Sequence, residues 1–243
     1  LVRFNISILL LLLLSGCQTG PTESHTTIDW VDFIKLENTE YNVVYNGVIA
    51  DEKYISEKVG KVNFKVADNI SNPGYKIKNG DAAFHEKGTE IYRVKDKQYL
   101  IAVKEPHEIN EYRIYFARDK MEDEWYFKNI PMEKVKRVEI YHTTLSGENK
   151  KIKELTSLEE INQLLHILKK SENKPDFQPN MRNGDPEHYE IVFYTDDPIA
   201  HKYSMQFDGT TFYWYPWEAA VLSNDISNFI NKNNKMGRRL PLD

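Results

Sequence analysis

Cysteine is almost missing from this chain: Cys17 is the only one in 243 residues. A lone cysteine closes no internal disulfide and builds no multi-cysteine zinc site, so the fold must rest on its apolar core. A large excess of one charge is missing too. The 32 basic and 37 acidic side chains leave a net charge of −5, and no basic run accompanies them, which argues against a nucleic-acid partner. Catalytic signatures are also absent. The histidines at 25, 85, 107, 142, 166, 188 and 201 are dispersed and match no HExxH spacing, and the chain has no GxSxG elbow, GxxxxGK[ST] loop or GxGxxG loop. The acidic stretches at Asp196-Asp197 and at Asp185, Glu187 and His188 lack the alternating oxygen ligands and glycine turn of a calcium loop. No catalytic residue, metal ligand or cofactor site is therefore assigned, and a non-enzymatic protein is expected.

One hydrophobic run stands out. Arg3 supplies a positive start, Ile6 to Leu14 are apolar except for Ser7, and small residues follow. This is the pattern of a secretory signal. As a helix the run reaches only ~14 Å, about half of a bilayer's hydrocarbon core, so it is too short to span a membrane. An ordinary secretory signal or a buried apolar helix would use the same composition.

The end of that run, Leu14-Ser15-Gly16-Cys17, resembles the lipobox of bacterial lipoproteins. The resemblance implies cleavage before Cys17, so that residues 1–16 form the signal peptide. It also implies a diacylglycerol on the Cys17 thiol and a location on the extracytoplasmic face of the cell membrane. The membrane would then be a partner through the lipid alone, since two or more acyl chains anchor stably where one binds only marginally. Residues 17–28, polar and carrying Gly20 and Pro21, read as a flexible tether.

Aromatic residues are plentiful at 12 %, with 15 tyrosines, which suits β-rich packing better than a helical bundle. The remaining length allows two compact domains or one large β domain, and two are preferred. Residues 29–130 show short alternating runs bounded by turn residues, as in Val62-Asn63-Phe64-Lys65-Val66 and Tyr112-Arg113-Ile114-Tyr115-Phe116. Lys95 to Gln98 reads as a four-residue hairpin loop, and Asn79-Gly80-Asp81 as a turn. A β-rich barrel or sandwich is expected there.

Residues 131–235 follow another pattern, β-α-β-β-β-α, with an antiparallel sheet. Val138 and Ile140 mark one strand. Thr156 or Ser157 opens a helix with capping-box spacing to Glu159 or Glu160, and Leu158, Ile161, Leu164, Leu165 and Leu168 share its face. Strands follow near 189–194, 201–207 and 212–215, with Asp208-Gly209 as a type I′ hairpin signal. Leu222, Ile226, Phe229 and Ile230 define a last helix, and residues 236–243 a basic tail. The fold class is therefore α+β.

The most conspicuous candidate site is Phe212-Tyr213-Trp214-Tyr215-Pro216-Trp217. Strand alternation places Phe212 and Trp214 on one face and Tyr213 and Tyr215 on the other, so Tyr213, Trp214, Tyr215 and Trp217 are candidate ligand-binding residues if a face is open. Exposed rings of this kind stack on sugars, which would make the protein a cell-wall glycan-binding or wall-acting protein. The bland alternative is that both faces are covered.

Beyond the lipobox, the stretches Gly60 to Asn69, Asn79 to Phe84, Lys87 to Tyr92 and Val94-Lys95 resemble a family of uncharacterised lipoproteins from Gram-positive, spore-forming bacteria. The resemblance covers residues 30 to 105 and carries no catalytic residue with it. It implies only a location on the outer face of the single membrane. The role expected for the chain is non-enzymatic binding or sensing, with a cell-wall or protein partner.

Overall fold

The computed structural model describes residues 28–120, 127–182, 184–215 and 220–230. The signal segment, Cys17, the tether up to residue 27, Trp217 and the basic tail lie outside the described residues. The architecture is mixed α+β and mostly β, with strand outweighing helix 42 % to 17 % in two large curled sheets, one a half-barrel and the other sandwich-like. No helix among the described residues is long and apolar enough to cross a membrane.

The first sheet is built from β1 (Phe33–Leu36), β2 (Thr39–Val43), β4 (Ile55–Lys61), β5 (Phe64–Lys65), β6 (Asp81–Ala82), β7 (Glu90–Val94), β8 (Lys97–Lys104) and β9 (Tyr112–Ala117). β3 (Gly47–Ile49) stands apart. The order is β4-β7-β8-β9-β2-β1-β6-β5, antiparallel except for the parallel β5/β6 pair. Its inner face closes on Ile34, Val62, Ile91, Ile101, Val103 and Tyr115, all fully buried. Two tight hairpins set the register. Leu36 faces Thr39 across Glu37-Asn38, and both turn residues are left-handed, as a type I′ turn requires. Asn38 is held there by a two-way exchange with Asn79, whose Oδ1 accepts from Asn38 N at 2.6 Å. Gly80 (φ 89°) follows, and a Cβ there would lie 2.1 Å from Asn63 Nδ2, so only glycine fits. The β7/β8 turn is shorter than the four residues expected: Val94 pairs with Lys97, and left-handed Asp96 makes the reversal in two.

The second sheet contains β10 (Arg137–Thr143), β11 (Asn149–Leu155), β12 (Glu172–Asn173), β13 (Glu187–Tyr194), β14 (Ile199–Phe207), β15 (Phe212–Trp214) and β16 (Ala220–Leu222), in the order β11-β10-β13-β14-β15-β16-β12. Every pair is antiparallel. Helix α1 (Leu158–Lys169) lies on one face and buries Ile161, Leu164, Leu165 and Leu168, each of which stabilises by about 1.5–3 kcal/mol relative to exposure. Leu158, the first helical residue, is exposed. Ser157 occupies the N-cap but its side chain makes no capping bond, and Glu160 turns instead toward Lys153 at 3.6 Å.

Three further features depart from the sequence expectation. β11, Asn-Lys-Lys-Ile-Lys-Glu-Leu, hides its strand character behind charge, because it is a sheet edge where lysines deter further pairing. The loop after β14 spans four residues rather than two. Asp208 Oδ1 accepts from the Thr210 and Thr211 amides at 2.9 and 2.8 Å, and only Gly209 has positive φ, so the turn is not type I′. Leu222 ends strand β16 rather than starting a helix; a 3-10 turn at Asn224–Ile226 leads into α2 (Ser227–Ile230).

The two sheets are joined by exchange. β3 adds to the second sheet along β14, with Ile49 opposite Ile199 and Gly47 opposite His201. Phe127 and Ile130 sit in the second core, where Phe127 meets Tyr203 at 5.4 Å and Trp214 at 5.2 Å. The face of the second sheet away from α1 packs Tyr141, Val192, Tyr194 and Ala200 against Val48 and Ile109. That shared layer positions the site.

Candidate functional site

Strand alternation decides which polar groups reach the junction. In β9, Arg113 and Tyr115 share one face while Tyr112 and Ile114 take the other and pack with Ile199 of the second sheet. In β14, Lys202, Ser204 and Gln206 point away from α1, opposite Val192, Glu190 and His188 of β13. The turn at residues 105–111 carries Glu108 between these faces. Asn110, left-handed at φ 61°, pins that turn by donating to Ile49 O at 2.8 Å and Tyr194 Oη at 3.0 Å.

A chain of hydrogen bonds results. Tyr115 Oη donates to the Asp32 carboxylate at 3.1 Å, which assigns the proton of the 2.6 Å His85 contact to His85 Nε2. Arg113 spans the next step, with NH1 3.2 Å from Asp32 Oδ2 and Nε and NH2 donating to Glu108 Oε1 at 2.9 and 2.6 Å. Lys202 Nζ stands 3.9 Å from Glu108 Oε2, a charge contact beyond hydrogen-bond range. One row further along the second sheet, Ser204 Oγ reaches both oxygens of Glu190 at 2.9 and 3.0 Å.

Burial sets the electrostatics. It raises the Asp32 carboxyl above its ordinary value, outweighing the lowering by Arg113 and Tyr115. It also raises Glu190 despite nearby Lys202, and it pushes His85 down to about 4, assisted by Arg113 and Lys65. His85 is thus a neutral, buried imidazole at neutral pH, and burial holds Tyr115 as the neutral phenol.

Beside this chain opens a cavity of about 90 Å³ lined by Tyr45, Gly47, Glu108, Arg113, Ile114 and Lys202, among others. Both sheets contribute to it, since Gly47 of β3 and Lys202 of β14 belong to the second sheet and Val43 of β2 and Arg113 of β9 to the first. Charged side chains converging on a cleft mark a candidate functional site, and junctions between sheets are a preferred place for small-ligand pockets. Neither His85 nor Tyr115 lines the cavity, so the buried His85–Tyr115–Asp32 arrangement does not open onto it. Among the described residues no group of three or more His, Cys, Asp or Glu side chains could hold a metal ion. A second, open trough of about 350 Å³ runs along α1 and is lined by Met132, Glu133, Asn162, Leu165, His166 and Lys169.

The aromatic residues singled out in the sequence do not form a stacking platform. Trp214, 3 % exposed, points into the second core against Tyr203 at 6.0 Å. Tyr213, 2 % exposed, is covered by Phe177 at 5.0 Å and donates to Gln206 Oε1 at 2.6 Å. Tyr215 alone is half exposed, and Trp217 lies outside the described residues. Both faces of β15 are covered because the loop after α1 folds back over its outer side. The junction residues escaped sequence reasoning because Asp32, His85, Arg113, Glu190 and Lys202 are far apart along the chain; the one local trace is Arg113 sharing a strand face with the core residue Tyr115. Comparison with protein-family models, with curated proteins and with solved structures returned no match.

Proposed function

We propose that the protein is a lipid-anchored extracytoplasmic binding or sensing protein, without catalytic activity, that takes a small ligand at the junction of its two sheets. The carrying observation is the cavity itself: charged groups with unused bonding capacity converge where both halves contribute walls. The buried His85–Tyr115 pair supports binding over chemistry, because a general base must reach the proton it removes. Location rests on Leu14-Ser15-Gly16-Cys17.

Two measurements test this reading. Metabolic labelling with a fatty-acid analogue should mark the wild type and not Cys17→Ala; equal labelling of both would remove the lipid anchor. A thermal-shift screen of the full chain against small polar metabolites should return stabilisers whose effect disappears in Lys202→Met. Stabilisation that survives in that variant would place the ligand elsewhere.

A further inference from the structure

We propose that the junction cavity is a saccharide subsite, taking a neutral, hydroxyl-bearing sugar ring. This rests on the reading of the protein as a binding protein and names the class of its ligand. The donor and acceptor inventory points to hydroxyl groups. Glu108 Oε1 is saturated by two bonds from Arg113, whereas among the described residues Oε2 receives no hydrogen bond. The Lys202 ammonium, with three donors, has that same Oε2 at 3.9 Å as its closest ionic partner among the described residues. A single hydroxyl oxygen can sit about 2.8 Å from both atoms without moving either, accepting from Lys202 and donating to Glu108. A carboxylate ligand could meet Lys202 and Arg113 but has no proton to donate, so it would face Glu108 and leave Oε2 without a donor. An ammonium could satisfy only Glu108 and would face Lys202 and Arg113. Neutral groups that both donate and accept fit where either ion would be half repelled.

The rest of the lining agrees. Tyr45, at the rim, is 55 % exposed, and Val43, Val44 and Ile114 add apolar residues to the lining, as the C–H face of a sugar needs. A cavity of about 90 Å³ admits the edge of one ring and leaves the remainder against Tyr45. The sugar-binding idea attached to Tyr213, Trp214 and Trp217 is thereby moved to another place on the molecule.

The test titrates the full-length chain by calorimetry with N-acetylglucosamine, its β-1,4-linked tetramer and glucose, alongside sodium acetate and ethylammonium chloride. Saturable binding of a sugar is expected, with affinity nearly unchanged between low and high salt because the ligand carries no charge. Lys202→Met should weaken it about tenfold, the equivalent of one charge-assisted hydrogen bond. Tyr45→Ala, at a rim position that is 55 % exposed, should weaken it as well, with an unchanged melting temperature of the unliganded variant as the check on its fold. Absence of sugar binding, or sugar binding untouched by both substitutions, overturns the proposal. Salt-sensitive binding of acetate or ethylammonium in place of sugar also overturns it, while leaving the broader reading as a binding protein standing.

Discussion

Two buried carboxylate centres lie along the same face of the second sheet, and they are finished differently. Glu139, 2 % exposed, accepts from Tyr141 Oη and Tyr194 Oη at 2.6 Å each, from Lys151 Nζ at 3.0 Å and from Arg137. Arg137 also stacks over the Tyr194 ring at 3.6 Å. Burial alone would raise this carboxyl, but the hydrogen bonds from Tyr141, Tyr194 and Lys151 and the charge of Arg137 outweigh it and hold it below its ordinary value. Around the junction cavity the balance is reversed: Glu108, in its lining, has one saturated oxygen, and outside the lining Glu190 has one hydroxyl while burial raises Asp32 and Glu190. A complete donor set makes Glu139 a latch across β11, β10 and β13 of the second sheet. An incomplete one leaves bonding capacity for something that arrives later.

The contrast fails if the two centres respond alike to mutation. Glu139→Leu leaves the Tyr141 and Tyr194 phenols and Arg137 without this acceptor, and Lys151 with Glu154 alone, and should cost about 3–5 kcal/mol by urea denaturation. A loss below about 1 kcal/mol would place it among ordinary surface ion pairs.

His85 gives the next largest effect. Its folded value, about 4 against an ordinary 6.5, means that the unfolded chain takes up a proton before the folded one does. Its contribution is therefore complete above pH 6.5 and lost as pH falls toward 4, amounting to about 3 kcal/mol across that window. Asp32 and Glu190 act with opposite sign, since raised carboxyls favour the folded state at low pH. His85→Phe should flatten the slope of denaturation midpoint against pH between these values; an unchanged slope would show that His85 is already protonated or solvated.

Asn110 sharpens the same comparison, because it ties the Glu108 turn to Tyr194, the latch's own phenol. Asn110→Ala loses two hydrogen bonds and strains a left-handed residue, an expected cost of about 1–3 kcal/mol. Asn110→Gly, which tolerates the positive φ, should cost less. Equal losses in the two variants would show that the backbone conformation contributes nothing. The smallest effect is expected at Glu190→Gln, which replaces a desolvated carboxylate held by one hydroxyl and should change stability by less than about 1 kcal/mol in either direction. A large loss there would make Glu190 a second latch.

Local patterns carried part of this description and missed the rest for identifiable reasons. The leucines of α1 and the alternation of β9 and β14 are legible because one face of each is apolar. β11 is not, because an edge strand buries only Leu155 and carries charge to resist pairing. Trp214 and Tyr213 look like a platform in one dimension, yet Phe127 and Phe177, 87 and 36 residues away from them respectively, cover the two faces. β3 reads as part of the first half and pairs with the second, since a three-residue strand carries no record of its partner.

The sequence by itself determined the α+β class, the helix and strands with periodic apolar faces, and the reliance on core packing that follows from a single cysteine. Those properties are local, written in composition and in periods of two and 3.6 residues. Only the tertiary structure decided which carboxylates are saturated and which are left open. That outcome depends on hydrogen bonds at about 3 Å between residues dozens of positions apart, such as Asp32 with Arg113 and Glu139 with Tyr194, and no local pattern encodes such a meeting.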